Sequence, residues 1–119
     1  MYSKGIRGAI TVDNNTVDSI KAATLELLGN MLLENDISDT SAISHIIFTL
    51  TPDLNAAFPA KFVREDLNLN ETAMMCYHEL DVPNSIESCL RILVVLNCSK
   101  EFKPKFVYLK GAKKLRTFL

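Results

Sequence analysis

The sequence holds no apolar run near the ~20 residues that a membrane-crossing helix needs. Its opening, Met1-Tyr2-Ser3-Lys4-Gly5, carries one lysine with no long apolar stretch behind it, so a secretory leader is not expected. Cysteine is scarce. Cys76, Cys89 and Cys98 are odd in number and form no C-x-x-C pair. That argues against a disulfide framework or a zinc site, and it fits a reducing cytoplasm with the thiols acting as small buried hydrophobes. Histidine is scarcer still. His45 and His78 stand alone, which excludes a histidine-rich metal centre. His45 reads as structural and His78 as solvent-facing. Neither G-x-G-x-x-G nor a P-loop is present, so no nucleotide cofactor is expected. G-x-S-x-G is missing as well, and with it the usual strand-turn-helix nucleophile. Net charge is −1, without the basic excess that a nucleic-acid footprint needs. No repeat, low-complexity tract or linker divides the chain, so 1–119 reads as one domain.

What the sequence does have is apolar weight. Hydrophobic residues make up 48 % of the chain. Either the core is dense or some apolar surface faces a partner. A domain this small buries little of its surface alone, so identical neighbours would help it. Charge is unevenly placed. Asp13, Asp18, Glu26, Glu34, Asp36 and Asp39 crowd the first third, and Lys100, Lys103, Lys105, Lys110, Lys113, Lys114 and Arg116 the end. A basic run of that kind is usually a solvated tail, unless other cations converge with it.

Alternation predicts a first strand over 6–12, with Ile6, Ile10 and Val12 on one face and Arg7, Ala9 and Thr11 on the other. Asp13 to Thr16 supplies a turn and a helix cap. A long helix follows over 17–35, with Ile20, Ala23, Thr24, Leu27, Leu28, Met31 and Leu32 at helical spacing. A strand over 44–51 places Ile46, Phe48 and Leu50 opposite Ile47 and Thr49. Pro59 can start a shorter helix running to about 67. Strands over 72–76, 91–96 and 106–109 complete the pattern, and 111–115 is a short turn or one helical coil. The apolar run after Arg91 predicts burial on both faces. The resulting class is α/β or α+β: a mixed sheet with one long and one short helix covering one side.

The chemistry-bearing groups left are cations and neutral donors: Arg7, Lys61, Arg64, Arg91, Tyr108 and Arg116, with one carboxylate, Glu79. Arg91 stands out. It opens an apolar run, so its guanidinium should sit at the edge of a dry region, and a partly buried arginine needs an anion.

Five segments resemble one family, in its order. They are Gly5-Ile6-Arg7-Gly8-Ala9-Ile10-Thr11-Val12; Thr51-Pro52-Asp53-Leu54-Asn55-Ala56-Ala57-Phe58-Pro59-Ala60-Lys61 with Val63-Arg64; Cys76-Tyr77-His78-Glu79-Leu80-Asp81-Val82; Cys89-Leu90-Arg91; and Val107-Tyr108-Leu109 with Gly111-Ala112 and Leu115-Arg116. The family is the monofunctional AroH class of chorismate mutases. The resemblance implies an α+β chain whose homotrimer forms a pseudo-α/β barrel, with active sites at subunit interfaces and no cofactor. It implies that Arg7, Arg91 and Tyr108 hold the carboxylates of chorismate, with Arg91 also reaching the ether oxygen. It gives Glu79 and the backbone of Cys76 the ring hydroxyl. Phe58, Lys61, Arg64, Met74, Met75, Leu115 and Arg116 become pocket wall and rim. Met75 stands where the family often has a small polar residue, and the tail past Arg116 is shorter than in many relatives. The tail, 113–119, is expected to be loose until a dianion binds, with Leu115 then covering it. Two other readings fit the cation set: a non-catalytic trimeric module for a small carboxylate, and an enamine or imine deaminase with an arginine clamp.

Overall fold

Thr16 begins the long helix. Its backbone is extended, and its hydroxyl accepts from the Ser19 amide at 3.1 Å, satisfying one of the first-turn donors. In the computed structural model, which describes residues 1–118 without the side chains of 116–118, this helix (α1) spans Val17–Glu34. Ile20, Ala23, Thr24, Leu27, Leu28 and Met31 face inward. The one polar member, Thr24, donates to the Ile20 carbonyl at 2.7 Å, so its burial leaves no hydroxyl unpaired. Asn35 caps the end and grips the Lys105 backbone through two bonds of 2.8 and 2.9 Å.

Strands β1 (Tyr2–Thr11), β2 (Ile43–Leu50), β3 (Ala73–His78), β4 (Cys89–Cys98) and β5 (Val107–Leu109) form one sheet in the order β3-β2-β4-β1-β5. β4 runs antiparallel to both β1 and β2, while β5 follows β1 and β3 follows β2 in parallel. The second helix (α2) spans Pro59–Leu67, with Pro59 in its first turn and Asn68 left-handed at its end. Two 3₁₀ segments, Thr40–Ala42 and Lys110–Phe118, complete the elements of the described residues.

Both helices contribute to one core with one face of the sheet. Ile6, Ile10, Ile46, Phe48, Leu90, Ile92 and Val94 fill it. Gly8 lets β1 touch α1: a Cβ there would lie 2.4 Å from the Met31 sulfur and 3.0 Å from Leu27. The expected alternation in β1 and β2 is present. The expectation of a run buried on both faces fails for β4: Leu90, Ile92, Val94 and Leu96 are buried, whereas Arg91, Leu93 and Val95 are half-buried. The reason is that α1 and α2 both lie on the other side of the sheet, and among the described residues the only helical segment packed on this side is the 3₁₀ one from Lys110, at one corner. A separate cluster of Ala9, Cys89, Tyr108 and Ala112 closes one corner of that open face. β3 runs past Cys76 to His78 because its parallel pairing continues to Leu50. Residues 111–115, expected as a short turn or one helical coil, lie within the longer 3₁₀ segment.

Candidate active site

A single row crosses the open face. Thr49 pairs with Arg91, Arg91 with Ala9 and Ala9 with Tyr108. Alternation sends all four side chains away from the helices. Ala9 is small, so a cleft of about 230 Å³ opens between Arg91 and Tyr108, with Arg7, Thr49 and Leu115 also on its walls. Arg7 lies two residues before Ala9 on the same face. Its guanidinium sits 5.7 Å from the centre of the Phe106 ring, a cation–π contact that orients it.

Glu79 reaches this row from the end of β3, where its amide donates to the Leu50 carbonyl at 2.8 Å. Its carboxylate accepts from the Thr49 hydroxyl and lies 3.2 Å from Arg91 Nε. The arginine contact is an ion pair without hydrogen-bond alignment. The two side chains are 35 % and 25 % exposed, so the pair stands at the border of a dry region, as the sequence suggested for Arg91. Tyr108 is 5 % exposed, and its hydroxyl has no partner among the described residues. Such a group costs about 1–3 kcal/mol when left unpaired, and a bound carboxylate would supply its partner.

The thiols nearby are inert. Burial pushes the Cys89 thiol up, with the Arg91 charge pulling less strongly the other way. Burial also raises Cys76. Neither offers a thiolate near neutral pH. Among the described residues, no three of His, Cys, Asp and Glu converge as metal ligands would. His78 is exposed, as expected, with one ring nitrogen 3.2 Å from the Leu54 carbonyl; His45 meets Ser44 at 3.1 Å.

The remaining candidates lie elsewhere. Phe58, Lys61, Arg64, Met74, Met75 and Cys76 line a different cleft of about 320 Å³, at the β3 edge. Tyr108 is on β5, the opposite edge, four strand spacings or roughly 19 Å away. The structure therefore joins Arg7, Glu79, Arg91, Tyr108 and Leu115, and separates them from the other six within one chain. Phe58 is 73 % exposed and sits at the N-cap of α2 without offering a capping bond. Leu115, expected to be loose, already packs on the cluster of Ala9, Cys89 and Tyr108. The expectations for Arg116 and the rest of the tail to 119 fall outside the described side chains. Thr49, which orients Glu79, was absent from the candidate set; its only sequence signal was a hydroxyl on the polar face of a strand.

The family model for chorismate mutase type I matches residues 3–119. A Thermus thermophilus chorismate mutase AroH is 38 % identical over 114 residues, covering 95 % of this chain and 93 % of the relative. The Bacillus subtilis AroH is 32 % identical over 117 residues, covering 98 % and 91 %. A solved chorismate mutase from Clostridium thermocellum superposes with a TM-score of 0.87 at 46 % identity, covering 93 % of this chain and 98 % of that one. These matches name a mutase and give no support to the non-catalytic module. With the family's length, fold and order of segments all present, the chain belongs to the type I, or AroH, chorismate mutases.

Proposed function

We propose that the two separated clefts are halves of one active site, joined between neighbouring copies in a homotrimer, where chorismate rearranges to prephenate. The activity is that of an isomerase serving aromatic amino-acid biosynthesis. The observation that carries the split is the distance between the halves: one chain cannot bring Lys61 and Arg64 to the same small dianion as Tyr108. The uncovered sheet face, with half-buried Ile47, Leu93 and Val95 and exposed Met75, offers the apolar surface on which copies would close into a barrel. Each copy is one domain, 1–119. No described helix is long and apolar enough to cross a membrane. Its three cysteines are all free, which favours a cytoplasmic setting.

The reaction is a [3,3] shift, and no group of the protein bonds covalently to the substrate. Arg7 and Tyr108, with Lys61 and Arg64 from a neighbour, hold the carboxylates so that the enolpyruvyl arm folds over the ring. Fixing that conformer removes much of the entropic barrier. The C–O bond breaks ahead of C–C bond formation, so negative charge grows on the ether oxygen. Arg91 donates there, and a preorganised donor of this kind contributes about 2.7–4 kcal/mol. Glu79, fixed by Thr49 and Arg91, accepts from the ring hydroxyl and faces the positive charge that develops on the ring. The Cys76 backbone assists at the hydroxyl; Phe58, Met74, Met75 and Leu115 wall the site, and Arg116 draws the dianion in.

The test is direct. Chorismate absorbance should fall on addition of the protein, with prephenate as product, and light scattering should give a mass near three chains. A stable, active monomer at micromolar concentration would overturn the shared site.

A further inference from the structure

Arg91 can act on substrate only if β4 starts in the right register. The ladders to β1 and β2 set the face on which Arg91 lies, and its exact place in the row depends on how the start of β4 is held. The residue before β4, Ser88, is left-handed, with φ of 49°, a conformation that a non-glycine residue holds only when its surroundings impose it. Its amide and its hydroxyl are both held by one carboxylate. Asp53 Oδ2 accepts from the Ser88 amide at 2.9 Å and from its hydroxyl at 3.1 Å. Asp53 Oδ1 accepts from the Thr51 hydroxyl at 2.5 Å, and the same hydroxyl oxygen accepts from the Cys89 amide at 2.9 Å. The Thr51 amide donates to the Cys89 carbonyl at 3.0 Å, and the Val12 amide donates to Ser88 at 2.7 Å. Asp53, Glu79 and Arg91 also wall a common cavity of about 490 Å³ beneath the 80–87 loop.

We propose that Asp53 is a positioning residue for catalysis: through Ser88 and Thr51 it fixes where β4 begins, and so where the Arg91 donor stands. Its carboxylate oxygens engage Thr51 and Ser88, and it is not on the wall of the cleft between Arg91 and Tyr108, so its effect on Arg91 passes through them. The inference rests on the reading of Arg91 as the donor at the ether oxygen. A displacement of about 1 Å in such a group can cost about 100-fold in rate.

Asp53→Ala, Asp53→Asn, Ser88→Gly and the double variant Asp53→Ala/Ser88→Gly are compared with Arg91→Lys. Steady-state kinetics are run well below each melting midpoint. Asp53→Ala should lose about ten- to hundredfold in kcat with KM changed no more than about threefold, since the lost interaction serves the transition state. Asp53→Asn, which keeps one acceptor, should lose less. Glycine takes the left-handed conformation without help. Ser88→Gly should therefore restore a good part of the kcat of Asp53→Ala, which a merely stabilising carboxylate would not predict for enzyme already folded. Wild-type kcat in folded Asp53→Ala, or no gain in kcat in the double variant, would overturn the proposal. If Asp53→Ala does not fold, Asp53→Asn and the double variant decide on the same terms. Arg91→Lys at wild-type kcat would sink the reading of Arg91 and this inference with it. An impaired Arg91→Lys beside an unimpaired Asp53→Ala would sink the positioning role alone.

Discussion

Replacing Arg91 by lysine keeps the charge and removes the fork. In the structure Arg91 projects from the centre of the row, between Thr49 and Ala9, and its Nε edge faces Glu79 at 3.2 Å. That ion pair holds the Nε edge toward Glu79 and leaves the terminal nitrogens as the donors for substrate. A lysine ammonium ends about one bond short, has no plane and can turn fully toward Glu79. The growing charge on the ether oxygen would then meet no fixed donor. Removing one such donor costs about 10²–10³ in kcat, or about 2.7–4 kcal/mol. Retained charge should soften the effect on binding, so KM should change far less than kcat. The assay is steady-state decay of chorismate absorbance, with circular dichroism and melting to show that the variant is folded. Turnover within about threefold of wild type in folded Arg91→Lys would remove Arg91 from the mechanism.

Three further outcomes are expected. Gly8→Ala should lower stability by about 1–3 kcal/mol, seen as a lower melting midpoint, because the new methyl would force the buried Met31 and Leu27 side chains to shift within a packed core; an unchanged midpoint would refute the tight β1–α1 contact. The Thr51 hydroxyl, and less strongly Ser88, hold the Asp53 carboxyl below its ordinary value of 3.8. The stability it adds is then complete above that value and lost as pH falls through the lower folded one, so the gap in midpoint between wild type and Asp53→Asn should be full at pH 6 and shrink below about pH 4. Deleting 116–119 removes the charge of Arg116 and should lower kcat/KM several-fold while kcat stays within about threefold, and rising salt should weaken capture more in wild type than in the truncated form; a large fall in kcat at constant KM would place the tail in the chemical step.

Much of the fold could be read from local pattern. Helix α1 and strands β1 and β2 carry their periods openly in Ile20-to-Met31 and in Ile6, Ile10 and Ile46 to Leu50, because one face of each is buried and the other is not. Pro59 marked the start of α2. The order β3-β2-β4-β1-β5 was not legible, since it depends on contacts far apart in the chain. That order is what splits the site residues between two edges. The β4 run looked buried on both sides because Leu93 and Val95 are apolar, yet neither α1 nor α2 covers them. Arg91 announced itself by its place before that run. Glu79 and Phe58 drew meaning from the family resemblance, and Thr49 and Asp53 from hydrogen bonds that join positions up to 35 residues apart.

The central claim is that each active site takes Arg91, Glu79 and Tyr108 from one chain and Lys61 and Arg64 from the next. Hybrid trimers test it most directly. An Arg91→Ala variant is unfolded and refolded with a Lys61→Ala/Arg64→Ala variant in equal amounts, hybrid formation is confirmed by native mass spectrometry, and turnover of chorismate is measured. Each parent alone should be nearly inactive. With random assortment about one site in four receives both intact halves, so the mixture should recover about a quarter of wild-type activity. Hybrid trimers no more active than the parents would contradict the shared site.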